Sequence, residues 1–464
     1  MNTIKKRSNI ILILTIAFFA GLLYHTVNIF INAEDWVINL RNLHLTAAGN
    51  LDYAGTIYDR NGEVLAYSSG GERFYNDDES IRKACLHVVG DDSTVNLYNS
   101  IQNIYRSELI GYHFLFSFGM PKNLRKGNDI TLTIDAELQK AAYEALGDRK
   151  GAVFFYNYKT GEVVCMVSTP AYDPENIPEN MKNNEEYDGV YINRVCSGLY
   201  SPGSTFKLVT AAAGLENIKD VEEVVYHCKG EDKIGGEDIT CEFAMGDVDI
   251  TGAIVYSCNC YFGHLASELG RFAMTRQAEK MGFNKNITFD GFESAKSIYD
   301  VFDINENEFA WSGVGQANVL ETPLNVAMIS AAIANGGTPV MPYIVSGIGR
   351  KDYEPRQTFG DNMMSPQTAD KIAGMMDSAV YLNYGKGRFS DTLDVCAKTG
   401  TAEVADAEPH AWITGFCKNE ECPLAFSVVI ENGGSGYGEA IPVAAAVLNT
   451  AERLAINNVQ CAML

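Results

Sequence analysis

Tyr200-Ser201-Pro202-Gly203-Ser204-Thr205-Phe206-Lys207 is the stretch from which the rest of the chain can be read. Pro202 and Gly203 punctuate the backbone. The apolar run beyond them (Phe206, Leu208, Val209, Ala211, Ala212, Ala213) predicts a buried helix over Ser204 to Leu215. Ser204 then stands at the helix N-terminus, where backbone N–H groups and a partial positive charge face any developing anion. Lys207 follows at i+3, on the same side. A serine hydroxyl is a weak nucleophile and needs a neighbouring base, and a lysine serves when burial or a second cation lowers its pKa.

Two further short motifs follow in order: Ser257-Cys258-Asn259 (S-x-N) and Lys398-Thr399-Gly400 (K-T-G). A helix is expected over Asp249 to Leu269, and Ser257 lies in it near the end of an apolar run, where Ser and Asn also serve as ordinary caps. In the functional reading Ser257 relays a proton and the Asn259 amide holds a peptide carbonyl. Lys398 to Gly400 ends an expected strand and continues as Thr401-Ala402-Glu403. Cation, hydroxyls and free strand N–H groups there suit a peptide that ends in a carboxylate and pairs as an added strand. Lys398 also supplies the second cation expected to lower Lys207. Each motif is weak alone, and the chain holds decoys. Ser80 to Lys83 repeats S-x-x-K among Asp77, Asp78, Glu79 and Arg82, which reads as a solvated surface turn. Lys159 to Gly161 repeats K-T-G inside a hairpin turn. Glu321-Thr322-Pro323-Leu324-Asn325 imitates a water-activating glutamate, but Thr322 reads as an N-cap and Pro323 as the first helical residue, leaving Glu321 outside. The Gly433 to Gly438 cluster lacks any nucleotide-binding pattern and reads as a loop before the last helix.

Around these motifs, Ile130 to Ile134 reads as a strand, and Asp135 caps a helix over Ala136 to Leu146. Gly151 to Asn157 and Glu162 to Ser168 form a hairpin; Val395 to Thr401, Ala411 to Cys417 and Leu424 to Glu431 are three more strands, and Pro442 to Ala455 is a closing helix. Strands at both ends and helices such as Leu324 to Ala334 between them give an α+β fold, an antiparallel sheet flanked by a helical lobe.

The formal net charge of -23 repels nucleic acid, and no basic patch offsets it. Ile10 to Ile31 is nearly continuous apolar sequence, long enough to span a hydrocarbon layer of roughly 30 Å. Lys5, Lys6 and Arg7 precede it and Glu34 and Asp35 follow, so the positive-inside rule places the N-terminus in the cytoplasm and the bulk of the chain outside the cell membrane. The length of the run and the lack of a small-residue cleavage pair favour an uncleaved single-pass anchor over a signal peptide. Eleven cysteines is an odd number, so not all can pair within the chain. Cys228 with Cys241, or Cys417 with Cys422, could close a small loop, and sequence alone establishes neither pair. A zinc site at His227, Cys228, Cys241, Cys258 and Cys260 matches no standard spacing, so no metal is expected.

With the trio S-x-x-K, S-x-N, K-T-G in hand, an established signature of penicillin-binding proteins and class A β-lactamases, the chain resembles the class B penicillin-binding proteins, in particular short elongation-type members. The likeness extends to Gly55-Thr56-Ile57-Tyr58-Asp59-Arg60-Asn61-Gly62, Leu132-Thr133-Ile134-Asp135 with Leu138-Gln139, Gly313-Val314-Gly315-Gln316 with Thr322-Pro323-Leu324, and Lys398 through Glu403. The resemblance implies the penicillin-binding transpeptidase fold, with a five-stranded antiparallel sheet. The division it suggests is a cytoplasmic tail over 1–9, an anchor over 10–31, a membrane-proximal domain over 32–128 and a transpeptidase domain over 129–464. It implies a D,D-transpeptidase that crosslinks peptidoglycan stem peptides through an acyl-enzyme on Ser204, and is inhibited by β-lactams. Lys207 and Ser257 would complete the catalytic set, and Asn259, Lys398, Thr399, Gly400 and Thr401 would bind substrate. The N–H groups of Ser204 and Thr401 would form the oxyanion hole. No cofactor is implied; a polytopic membrane glycosyltransferase is the implied partner. The family's common arginine before Gly55 is Ala54 here. Rival readings are a D,D-carboxypeptidase or β-lactamase, and a non-catalytic scaffold or β-lactam sensor.

Overall fold

Gly151–Asn157 is apolar or aromatic at nearly every position, the pattern of a strand buried on both faces. It is the first strand (β1) of a five-stranded antiparallel sheet with β2 (Val163–Thr169), β3 (Val395–Val404), β4 (Ala407–Cys417) and β5 (Leu424–Ile430). The spatial order is β3-β4-β5-β1-β2, which leaves β3 on an edge. Alternation sends successive side chains to opposite faces. Phe154 and Tyr156 enter a large core with Phe206, Leu208, Phe262 and Leu324 of the helical lobe. Val153 and Phe155 enter a second core with Ala142, Leu146, Val443 and Val447. The sheet thus divides two hydrophobic layers, and the motif-bearing helices lie on one side of it. The computed structural model describes residues 2–31, 51–92, 96–111, 127–352, 360–385 and 387–462.

The hairpin, the three late strands, the helix Ala136–Leu146 capped by Asp135 and the closing helix Ile441–Ala462 stand where the sequence patterns put them. Three expectations change. The Asp249 to Leu269 helix is two helices, Ile250–Val255 and Asn259–Lys280, broken at Ser257, whose φ of 61° lies in the left-handed region. Lys398 to Gly400 sits mid-strand, because β3 runs on to Val404. Ser80 to Lys83 is the first turn of a helix, Glu79–Val89, capped by Asp78; Lys83 pairs with Glu79 and Arg82 with Asp173, so the decoy lysine has other employment.

A second sheet of six strands runs in the order Lys351–Asp352, Val345–Ile348, Ile130–Leu132, Ile57–Tyr58, Val64–Ser69, Glu72–Tyr75. It draws strands from both sides of position 129, with Ile57 parallel to Ile130. Asp59 binds the N–H of Ala136 at 3.1 Å and Asn61 donates to Asp135 at 2.8 Å, which explains the conspicuous Asp59-Arg60-Asn61-Gly62 turn as a clasp on the start of the next helix. The helix Asn2–Ile31 contains a span, Ile4–Ile29, long and apolar enough to cross a membrane. Glu34 and Asp35, used above to orient it, lie outside the described residues.

Candidate active site

The backbone turn ahead of the lobe helix brings Ser204 to the edge of the sheet. Gly203 has φ 53°, and a Cβ there would lie 2.5 Å from the Thr401 carbonyl oxygen, so only glycine permits this approach to β3. The Gly203 N–H donates to the Gly315 carbonyl at 2.9 Å. A Cβ on Gly315 would in turn meet the Gly203 oxygen, which gives the Gly313-Val314-Gly315-Gln316 stretch its role. Trp412 Nε1 donates to the Ser201 carbonyl at 3.0 Å from β4. Tyr200, packed edge-on against Trp412, donates to Glu431 at 2.6 Å beside Arg194. Sequence reading gave no role to Trp412, Tyr200 or Glu431, since one aromatic in a strand or at an isolated bridge, or one acid just past a strand end, carries no pattern of its own. Ser204 itself is half-buried in a 3-10 turn, Gly203–Phe206, that runs into the helix Lys207–Asn217.

Lys207 is fully buried, and its amine donates to the Ser257 carbonyl at 2.6 Å, Ser257 Oγ at 3.0 Å and Asn259 Oδ1 at 2.7 Å. The helix break at Ser257 is what turns that carbonyl and hydroxyl toward the lysine. Lys398 donates to the same Ser257 hydroxyl from the other side, at 3.1 Å, and to the Thr399 carbonyl at 2.8 Å. Ser257 therefore links the two lysines, and all three motifs meet. Burial pushes the Lys207 amine down to about 7. Burial and then repulsion by Lys207 hold Lys398 well below its usual range. Desolvation comes first for both amines, and the two, joined through the Ser257 hydroxyl, also repel each other's charge. The Asn259 amide donates to the Thr240 carbonyl at 2.7 Å, leaving its second N–H for a ligand.

Thr399 N–H faces away from β4, since it donates to the Tyr384 hydroxyl at 2.8 Å. By strand alternation the N–H and C=O of Thr401 face the same open edge, next to the turn that carries Ser204. The decoys resolve plainly. Gly161 closes the β1–β2 hairpin, donating to Asn157 at 2.8 Å. Thr322 caps Pro323–Ala334, while Glu321 is buried, pairs its backbone with Tyr200, and accepts from Asn325 at 2.9 Å. Burial raises its carboxyl to about 8, and its partners are structural. The glycine-rich loop does precede the last helix, and Gly436 also packs against the Gly400 and Trp412 carbonyls.

Beside the S-x-N motif the fold gathers the four cysteines that were weighed above, with His227, as a zinc site of no standard spacing. Cys241 Sγ lies 3.8 Å from Cys228, 3.7 Å from Cys258 and 3.5 Å from Cys260. The Cys228, Cys241 and Cys258 sulfurs all fall within 4.8 Å of one another. His227 turns away to Asp247, 2.6 Å off, and is not part of the cluster. The sulfur spacings resemble the edge of a tetrahedral thiolate site, about 3.8 Å for metal–sulfur bonds of about 2.3 Å. The Cys228, Cys241 and Cys258 sulfurs could thus hold a soft divalent ion, although their sequence spacing offers no reason to expect a metal. The signal for this grouping was the cysteine count; its geometry depends on the hairpin and helix break that fold over it.

A buried lysine bonded to the S-x-N serine, one turn beyond a helix-borne serine at an open strand edge, defines a lysine-assisted serine acyl-transfer site. The model of the penicillin binding protein transpeptidase domain matches residues 151–451, and the chain belongs to that family. It is 27% identical over 362 residues to the peptidoglycan D,D-transpeptidase PbpA of Mycolicibacterium smegmatis, covering 71% of this chain and 73% of that protein. Among solved structures, the D,D-transpeptidase domain of a peptidoglycan glycosyltransferase from Eggerthella lenta is 29% identical with a TM-score of 0.75, covering 86% of this chain and 98% of that one. The penicillin G acyl-enzyme complex of penicillin-binding protein A from M. tuberculosis is 26% identical, again with TM-score 0.75, over 86% and 99% of the two chains.

Proposed function

We propose that the chain is a serine D,D-transpeptidase that crosslinks peptidoglycan stem peptides and is acylated by β-lactams at Ser204. The observation that carries the proposal is the Ser257 hydroxyl, held by Lys207 at 3.0 Å and Lys398 at 3.1 Å, which joins all three motifs in one buried circuit. In the proposed reaction the neutral Lys207 amine takes the Ser204 proton as Oγ attacks the penultimate D-alanine carbonyl. Ser204 and Thr401 N–H groups receive the oxyanion, each such donor being worth roughly 100- to 1,000-fold in rate. The proton passes through Ser257 to the departing amine of the terminal D-alanine. An acceptor amine then attacks the ester, its proton returns along the same path, and Ser204 is freed. Asn259 holds the substrate amide, Lys398 and the Thr399 hydroxyl take the terminal carboxylate, and Thr401, beyond Gly400, pairs with the added strand.

The apolar N-terminal helix and the three basic residues near its start support a single-pass anchor with residues 1–9 cytoplasmic and the catalytic region, 129–464, outside. The region over 32–128 and the anchor are then the surfaces for a polytopic membrane glycosyltransferase. Incubation with uncrosslinked muropeptides tests the reading: crosslinked dimers should accumulate as D-alanine is released. D-Alanine release with no dimers identifies the carboxypeptidase, and neither product identifies the scaffold.

A further inference from the structure

Resting on the transpeptidase reading, we infer that Tyr384 is the stop that limits the substrate strand to a single residue beyond the scissile bond. The open edge of β3 offers a peptide one N–H and one C=O at every second residue. At Thr401 these groups lie beside the Ser204 turn. At Thr399, the next outward position upstream, both are already taken: the N–H by the Tyr384 hydroxyl at 2.8 Å, the C=O by Lys398 at 2.8 Å. The Thr399 hydroxyl also donates to Tyr384, at 3.1 Å. A strand added along β3 can therefore pair at Thr401 and not at Thr399. The two positions are about 6.8 Å apart along the strand, room for one residue and its carboxylate.

The stop is rigid. Tyr384 is only 2% exposed and closes the turn Val380–Tyr384 that extends the helix Pro366–Ala379. Its neighbour Asn383 ties that turn to the Val255 carbonyl at 2.7 Å, directly before the S-x-N break. Tyr437 stands beside the ring, 6.5 Å between centroids. Burial raises the phenol's pKa, so the hydroxyl stays neutral and keeps its own proton. The structure thus ties selection of a chain-terminal residue over an internal peptide to one side chain outside the three motifs.

The test compares two peptides in the full chain: a stem-peptide mimic ending in D-alanyl-D-alanine, and the same peptide extended by one more D-alanine. Cleavage after the same carbonyl is measured as kcat/KM for each. The wild type should prefer the shorter peptide by at least about 100-fold, the scale on which a blocked site rejects a misfit. Tyr384→Ala should lower that ratio at least tenfold, through faster cleavage of the extended peptide. Tyr384→Phe, which frees the Thr399 N–H but keeps the ring, should lower it about threefold, and decides the matter alone if the alanine variant does not fold. An unchanged ratio, or one that falls only because the short peptide slows, overturns the inference. Labelled penicillin on Ser204 is recorded in parallel: its absence from the wild type refutes the transpeptidase reading, whereas its presence with an unchanged ratio refutes the stop alone.

Discussion

Replacing Lys207 with methionine removes the amine while nearly preserving its volume, and should slow acylation by β-lactams about 10²- to 10⁴-fold, the usual contribution of a positioned base. Three acceptors lose their donor: the Ser257 carbonyl, Ser257 Oγ and Asn259 Oδ1. Stranding buried acceptors costs about 1–3 kcal/mol each. Against this stands the cost of the lysine itself. Its folded pKa of about 7 lies below the ordinary lysine value of about 10.4, so folding opposes its charge. The native state gains stability from this group as pH rises from 7 toward 10, and at or below 7 carries a penalty that can reach about 5 kcal/mol. Methionine abolishes that penalty, so the variant should remain folded at neutral pH and its lost rate should be chemical. Time courses with labelled penicillin between pH 5 and 9 are the assay. The wild-type rate should climb about tenfold per pH step below 7 and level off above it, because only the neutral amine accepts the proton. A Lys207→Met rate within tenfold of wild type, or a wild-type profile flat across pH 7, would refute the assignment of Lys207 as base.

Gly203→Ala places a Cβ 2.5 Å from the Thr401 oxygen at a φ of 53°, so it should displace Ser204 and slow penicillin acylation at least tenfold, read by the same labelling. Glu321→Gln tests the buried acid. A carboxyl raised to about 8 is protonated in the native state, so its contribution is fully present below the ordinary value near 4.3 and is lost as pH rises toward 8. The glutamine variant should therefore show a flatter Tm between pH 5 and 8 than the wild type; identical slopes would contradict the reading. Cys241, partly exposed, has its thiolate favoured by the Cys258 and Cys260 thiols and then by the Cys260 and Asn259 N–H groups. Iodoacetamide should modify it before the buried Cys228, Cys258 and Cys260, as peptide mapping would record.

Much of the fold was legible because its signals are local. The β1–β2 hairpin, the three late strands and the Asp135 and Thr322 caps each follow from a few adjacent residues. The nucleophile was legible because Pro202 and Gly203 followed by an apolar run fix both its turn and its burial. What escaped depends on tertiary packing. Nothing adjacent to Ser257 announces a left-handed residue splitting a helix; the break is sustained by the Lys207 bonds across the lobe. The motif strand outruns its expected end because β4 pairs with it as far as Val404. Tyr384 caps Thr399 from a turn that no motif marks, and the four thiols come from a hairpin and a helix start that only the folded lobe brings together.

Acyl transfer by this site requires that residue 204 carry the acyl group. Mass spectrometry of the full chain after penicillin treatment should show one added penicilloyl mass, mapped to the peptide containing Ser204-Thr205-Phe206-Lys207 and absent from Ser204→Ala. An adduct on another residue, or an unmodified wild type under conditions in which the chain is folded, would contradict it.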